Sequence, residues 1–426
     1  MLDLKYLREN FDVAKAALTR RSAEAVQSLE IIRELDGRRR AIQTQVDHLK
    51  NERNVASKEV GQLKAKGQDA FPKIAAMKTV GDQIAAFDHE LRQIENDLEK
   101  KLLFLPNFPH ASTPDGAGPA ENREVRRHGE PARHAFKAKP HWELGPALGI
   151  LDFERAAKIS GSGFVCHRGL GARLQRGLIN FMLDLHTQKH GYSEVSPPYL
   201  ILEKAMIGTG QLPKFAEEMY ALRDDPLYLA PTAEVPVTNL YRDEILKVEQ
   251  LPMKLCAYTP CFRREAGAAG KDTRGMIRVH QFDKVELVKI VQPEESYREL
   301  ETLVGHAEAV LQALELHYRV VSLCAGDMGF CAAKCYDIEV WCPGVGAYLE
   351  VSSCSNFETF QARRMNLRYK DARGKNNFCH TLNGSGTALA RLTIALLETH
   401  QQANGHVQIP MALRSHLGGL EEIGAE

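Results

Sequence analysis

From Ile32 onward the apolar positions fall alternately three and four residues apart: Ile32, Leu35, Ile42, Val46, Leu49, Ala56, Val60 and Leu63, with Arg39 and Arg53 filling the two remaining steps. A second series, Met77, Val80, Ile84, Phe87, Leu91, Ile94 and Leu98, keeps the same alternation without interruption. Sustained 3.5-residue periodicity marks a coiled-coil seam, and the break at Lys66-Gly67-Gln68-Asp69 makes the two stripes the arms of an antiparallel helical hairpin. Arms of about 35 residues at 1.5 Å rise reach roughly 50 Å. Periodicity alone fits an oligomerisation rod as well as a ligand-reaching arm.

After residue 103 the pattern changes twice. Residues 104–146 gather seven prolines, from Pro106 to Pro146, and read as a linker. Residues 147–426 mix an amphipathic helical stretch (Ala172 to His190) with short β-rich runs such as Lys284 to Val291 and Tyr336 to Trp341. Regular βαβ alternation is missing, so the expected class is α+β on an antiparallel sheet, with the division 1–103, 104–146 and 147–426.

Charge adds direction to the hairpin. Between Arg33 and Lys66 the net charge is +4, and between Gly67 and Lys100 it is −3. A projecting basic helix suits a polyanion, because phosphate contacts supply sequence-independent affinity. A charge run taken alone is equally a solvated face. The whole chain balances 55 Lys and Arg against 55 Asp and Glu over 426 residues, which argues against binding by bulk positive charge. With 44% hydrophobic and 26% charged residues it is composed as a globular protein. No apolar run approaches the ~18 residues of a membrane span, and the start MLDLKYLREN is too charged for a signal peptide, so a cytoplasmic protein is expected. Nine scattered cysteines are expected to be reduced, and the spacing of Cys324, Cys331, Cys335 and Cys342 matches no familiar zinc module.

Two apparent nucleotide motifs fail. Gly267-Ala268-Ala269-Gly270-Lys271-Asp272 has its glycines too close for a phosphate loop, and Gly384-Ser385-Gly386 lacks the third glycine of a dinucleotide fingerprint. Three other strings are more specific. Gly191–Pro198 (GYSEVSPP) follows a helical stretch. Cys261-Phe262-Arg263-Arg264-Glu265 is followed by a glycine-rich loop and a returning segment with Phe282. Gly384-Ser385-Gly386-Thr387-Ala388-Leu389-Ala390-Arg391 ends on an arginine that opens a helix. In this order they resemble the three signatures of class II aminoacyl-tRNA synthetases. Pro231–Pro236 (PTAEVP), Glu350–Phe357 (EVSSCSNF) and His380–Gly386 (HTLNGSG) are similar to the bacterial type of the seryl-tRNA synthetase family, which also carries an N-terminal helical hairpin.

The resemblance implies a ligase that activates serine with ATP and passes it to the 3′ end of serine tRNA; charging of selenocysteine tRNA stays open. It implies that Arg263 meets the α-phosphate and carboxylate, that Arg391 holds the γ-phosphate, and that Glu265 accepts from the adenine amino group. Phe282 and Arg391 would sandwich the base. The wider ATP set implied is Arg264, Val279, Glu350, Val351, Ser352 and Ser353, with Glu350 and Ser353 as hard oxygen ligands for Mg²⁺. The serine set implied is Thr232, Ala233, Glu234, Glu286, Asn383 and Ser385, together with Arg263. Lys271 and Arg274 would approach the acceptor end of the tRNA, the hairpin would embrace its long variable arm, and the first signature would pair two subunits into a homodimer. Departures from the family pattern are Leu349, where arginine is common, and Cys331 and Cys335, in place of small or hydroxyl residues. Activation of threonine, an idle tRNA-binding paralogue and a relative that charges carrier proteins remain alternatives.

Overall fold

The computed structural model describes residues 1–266 and 274–424. The chain divides into two compact units, Leu2–Pro106 and the residues from Asn107 onward.

In the first unit two short helices, α1 (Leu4–Glu9) and α2 (Phe11–Thr19), precede the long α3 (Ala23–Ala65) and α4 (Phe71–Leu103). Ser22 starts α3 by accepting the N–H of Ala25 on its hydroxyl, at 3.1 Å. The 43 residues of α3 span about 64 Å. The helix stops where Gly67 takes φ +67° and the N–H of Gln68 turns back to Leu63 O at 2.9 Å, a left-handed cap that a side chain would strain. The predicted seam is the buried one: Ile32, Ile42 and Val46 on α3, and Ile84, Ile94 and Leu98 on α4. Arg39 holds its seam position by pairing at 3.1 Å with Asp36, a buried acid one step off the stripe that Arg8 (3.3 Å) and Arg40 (3.5 Å) also reach. Burial of this carboxylate is offset by three guanidinium groups. Acids of α4 neutralise part of the basic arm, through Arg38–Glu90 at 3.0 Å and Lys50–Asp88 at 3.5 Å. Towards the turn Arg53, Lys58, Lys64 and Lys66 are exposed, with no ion pair among the described residues.

The second unit is built on one eight-stranded sheet. Its strands are β1 (Arg123–His128), β2 (Ser193–Glu194), β3 (Met253–Phe262), β4 (Gln281–Val291), β5 (Tyr318–Ser322), β6 (Lys334–Cys342), β7 (Ala347–Asn356) and β8 (His380–Ala388). The order is β1-β5-β6-β7-β8-β4-β3-β2. All neighbours are antiparallel except the edge pair β2–β3. The class is therefore α+β, as expected. The proline-rich segment is more than a connector, since it supplies edge strand β1 and the short helix α5 (His141–Ala147).

The remaining helices that matter for the site are α6 (Leu170–Lys189), α7 (Glu234–Thr238), α8 (Ser296–Ala313), α9 (Phe360–Met365) and α10 (Leu389–Thr399). Helices α6, α8 and α10 pack on one face of the sheet, where Leu174, Leu178, Leu303, Val304, Leu392 and Leu396 meet Val285 and Leu287 of β4. The glycines of the third signature make this approach possible. A Cβ at Gly384 would lie 2.7 Å from the Cys354 sulfur, and one at Gly386 2.8 Å from His186 Nε2 on α6. Lys289, also on the helix-covered face, is buried with its amine 2.8 Å from Glu299 Oε2 and 2.6 Å from the Thr302 hydroxyl. All nine cysteines are free thiols and eight are buried. Among the described residues no helix is long and apolar enough to cross a membrane.

Candidate active site

The opposite face of the sheet's centre collects the polar residues. Alternation along β4 sends Val285 and Leu287 into the core and leaves Phe282, Lys284 and Glu286 in front. On β8 the front residues are Asn383 and Ser385. On β7 they are Ser353 and Ser355, and a strict two-residue period would turn Glu350 to the back. A β-bulge corrects this: Ile338 pairs with Ser352 and Glu339 with Glu350, so Val351 is the extra residue and Glu350 returns to the front. A second bulge at Gly386, between Ser385 and Thr387, brings Ala388 forward beside Phe282.

One end of this face is a buried, hydrogen-bonded pocket. The Thr232 hydroxyl, just ahead of α7, donates to Glu286 Oε2 at 2.6 Å and accepts from Lys284 Nζ at 2.8 Å. Lys284 also pairs with Glu286. The second carboxylate oxygen, Glu286 Oε1, is buried and has no hydrogen-bond partner among the described residues. An orphaned acceptor at that depth is costly unless a ligand supplies the donor. Glu234 opens α7 and is 7% exposed. Burial and then the neighbouring Glu286 push its carboxyl up to about 7. Its Oε1 accepts from Gln361 on α9 at 2.7 Å. Asn383 and Ser385 line the same pocket. Ala233 does not join them, because its methyl group packs with Val237, Leu255, Ala257 and Val288.

The other end is more cationic. Arg263, Glu265, Val279, Phe282, Glu350, Val351 and Arg391 line one cavity. Arg263 donates to Pro231 O at 3.3 Å, and its guanidinium lies 5.3 Å from the centre of the Phe282 ring. Arg391, in the first turn of α10, donates to Ile277 O at 3.1 Å and Glu350 O at 2.9 Å, and stands 3.6 Å from Glu350 Oε2. Glu265, three residues beyond β3, takes φ +49° and meets Arg278 at 3.5 Å. Arg263, Lys284, Glu350 and Ser385 belong to the walls of both cavities, so the two form one continuous site. Arg264 is fixed by its backbone N–H to Glu218 O at 2.9 Å, and Ser352 donates back to Ser385 O at 2.6 Å, behind the front row. Lys271 lies outside the described residues, while Arg274 stacks over Trp142 at 4.8 Å.

Glu350 and Ser353 suit a hard cation, with an exposed carboxylate and a hydroxyl oxygen on adjoining front positions of one strand. Among the described residues no cluster of three or more His, Cys, Asp or Glu side chains could hold a metal ion unaided. Two protein oxygens fit Mg²⁺, which completes its octahedron with phosphate and water. Asp337 stands opposite Ser353 across β6 and β7, and burial, then Glu350, push its carboxyl well above the usual range. Lys284, Gln361 and Asp337 lie outside the sequence motifs. Lys284 and Asp337 carried a faint signal as charged residues inside β-rich runs, whereas Gln361 reaches the site from a separate helix.

The strand order, the bulged glutamate and the paired arginines define a class II aminoacyl-tRNA synthetase site, and residues 218–400 match the family model of the tRNA synthetase class II core domain (G, H, P, S and T). Residues 1–109 match the seryl-tRNA synthetase N-terminal domain. The chain is 54% identical over its whole length, and that of its relative, to a serine–tRNA ligase of Magnetococcus marinus, and 55% identical over the whole of both chains to one of Geobacter sulfurreducens. Its fold is similar to the crystal structure of seryl-tRNA synthetase from Pyrococcus horikoshii complexed with ATP, with TM-score 0.95, 37% identity and full coverage of both chains. The cytoplasmic serine–tRNA ligase of Naegleria fowleri in complex with AMP gives TM-score 0.90 at 28% identity, over 100% of this chain and 99% of that one. The chain belongs to the serine–tRNA ligase family, also called seryl-tRNA synthetases.

Proposed function

We propose that the chain joins serine to tRNA in two steps on this one site. In the first, a serine carboxylate oxygen attacks the α-phosphorus of ATP and pyrophosphate leaves. In the second, a hydroxyl of the tRNA's 3′-terminal ribose attacks the carbonyl of seryl-adenylate and AMP leaves. The observation that carries the amino-acid assignment is Glu286 Oε1, a buried acceptor without a partner among the described residues, which the serine hydroxyl would satisfy. A site built to hydrogen-bond a hydroxyl rejects an analogue lacking it by roughly 10⁴–10⁵.

The remaining roles follow from charge. Glu234, beside Glu286, is the anion for the serine ammonium, and Asn383 and Ser385 close the pocket. The attack gathers negative charge at phosphorus, and Arg263, standing where the two cavities meet, is placed to take it. Arg391 serves the outer phosphates, and Glu265 and Phe282 the adenine. Mg²⁺, held by Glu350 and Ser353, supplies further positive charge to the triphosphate when bound. Residues 1–103 form the tRNA-reaching hairpin, residues 104–146 lead into the catalytic part, and residues 147–426 perform the chemistry. The exposed bases of α3 read the backbone and shape of a long variable arm, a mode that extends to selenocysteine tRNA. The first signature pairs two copies into a cytoplasmic homodimer.

ATP–pyrophosphate exchange measured with each of the twenty amino acids tests the reading. Exchange should depend on serine, and exchange driven by threonine or by no amino acid would replace it.

A further inference from the structure

A fully buried pair, His141 and Glu398, lies behind the nucleotide end of the site and has no part in the roles assigned so far. Glu398 Oε1 accepts the backbone N–H of His141 at 2.9 Å and lies 2.9 Å from His141 Nδ1. Oε2 accepts the N–H groups of Gly344 and Val345, at 2.8 and 2.9 Å, in the turn between β6 and β7. Across the ring, His141 Nε2 is 3.0 Å from the backbone nitrogen of Met276. A backbone N–H can only donate, so Nε2 is the acceptor and the ring proton sits on Nδ1, facing Glu398.

The residue after Met276 gives its carbonyl to Arg391. Arg391 and Glu398 are seven residues apart on α10, two turns along one helix face. The helix therefore grips the chain leading into β4 at two successive residues, directly through Arg391 at Ile277 O and through His141 at Met276 N. The approach is tight: Gly275 takes φ +69°, and a Cβ there would lie 2.2 Å from His141 Nε2. One residue earlier Arg274 stacks on Trp142, the neighbour of His141.

The geometry points to His141 as a positioning residue for adenylate formation, acting through the Met276 amide to set where Ile277 holds Arg391, with Glu398 fixing its tautomer. The inference rests on the nucleotide-binding role proposed for Arg391. His141→Gln places an acceptor oxygen near the Nε2 position, whereas His141→Asn keeps a donor near Nδ1 and cannot reach Met276. In full-length enzyme, His141→Asn should lower kcat of serine-dependent exchange by about 10²-fold with a raised ATP KM and a nearly unchanged serine KM, as for a misplacement of about 1 Å. His141→Gln should stay within about threefold of wild type on the same scale. Hydrogen exchange at the Met276 amide, which needs no activity, should quicken in His141→Asn and remain slow in His141→Gln. Gly275→Ala offers a second route if His141→Asn does not fold, and should reproduce its kinetic signature. Equal behaviour of the two histidine variants, or wild-type kinetics in Gly275→Ala, overturns the inference. Wild-type enzyme without serine-dependent exchange would refute the proposed function instead, and the Met276 amide would still report on His141.

Discussion

Gln361 Nε2 donates to Glu234 Oε1 across 2.7 Å, and the orientation of this amide is not free, because the Thr381 hydroxyl occupies Gln361 Oε1 at 2.7 Å. Glu234 thus faces a fixed neutral donor inside a pocket that already holds Glu286, and burial with that second acid raises its carboxyl to about 7. Below pH 7 the group is protonated and a poor partner for an ammonium. Serine KM should fall about tenfold between pH 6 and pH 8 as the carboxylate forms, and Glu234→Gln should flatten the profile. The stability of the ligand-free protein should move the opposite way. The folded state binds the proton more tightly than the unfolded chain, so this contribution is whole below the ordinary carboxylate range and fades as pH rises towards 7. A wild-type serine KM that is flat from pH 6 to 8 would exclude Glu234 from the ammonium site.

Replacing Glu286 by glutamine keeps the shape of the side chain and changes what it accepts. The preference for serine over alanine, taken as the ratio of kcat/KM values in pyrophosphate exchange, should drop by roughly 10- to 100-fold, the range of a hydrogen bond to a charged group. An unchanged ratio would put the hydroxyl contact elsewhere.

Arg263→Ala removes one of the cations shared by both cavities, the other being Lys284. Exchange should slow by about 10²–10³, the usual effect of losing one preorganised donor. Near-normal turnover would assign the transition-state charge to another group, with Lys284 first in line by position.

The hairpin is tested by its charges. Converting Arg53, Lys58, Lys64 and Lys66 together to alanine should leave serine-dependent exchange intact and raise the KM for tRNA in aminoacylation. The slope of log affinity against log salt should shrink by about 0.7–0.9 for each phosphate that is no longer neutralised. Equal damage to exchange and aminoacylation would make the arm a structural element.

Lys289→Met leaves Glu299 buried without its cation, so stability in denaturant titration should fall by about 3–5 kcal/mol. Adding Glu299→Leu should recover most of the loss; a double variant as unstable as the single one would show that the surrounding hydrogen bonds, and not the charge pair, dominate.

How much of this was legible in the sequence depends on how far the signal had to travel. The coiled-coil seam is written in consecutive heptads and could be read directly. The three signatures are short strings in which strand, turn and helix start follow one another, so Arg263 and Arg391 stand out in the chain alone, whereas Glu286 lies outside them and is implied only by the resemblance to the family. Ala233 lies inside the same motif as Thr232 and Glu234, yet its side chain serves a small apolar cluster. Asp36 was invisible, since an acid beside a heptad stripe looks solvated until Arg8 folds back onto it from another helix. Gln361 comes from 127 residues beyond Glu234 and Glu398 from 257 beyond His141, and no local pattern encodes such pairings. Long-range polar pairings depend on packing, which the order of residues records only indirectly.

The two extra residues in β7 and β8 also say something about how the site can change. Continuing the register in which Cys354 pairs with Gly384 puts Gly386 opposite Ser352, the neighbour of Val351, so the two bulges act like a dislocation line running across a crystal lattice. On one side of the line lie Ser353, Ser355, Asn383 and Ser385; on the other lie Glu350 and Ala388, half a repeat out of step. Deleting Val351 or Gly386 itself would restore a regular strand with both groups still facing forward, whereas a one-residue deletion among the paired positions would turn the residues beyond it to the back. The two halves of the site thus share one face although their sequence phases differ, and the bulges are positions in β7 and β8 where the strand can lose one residue without re-phasing either half.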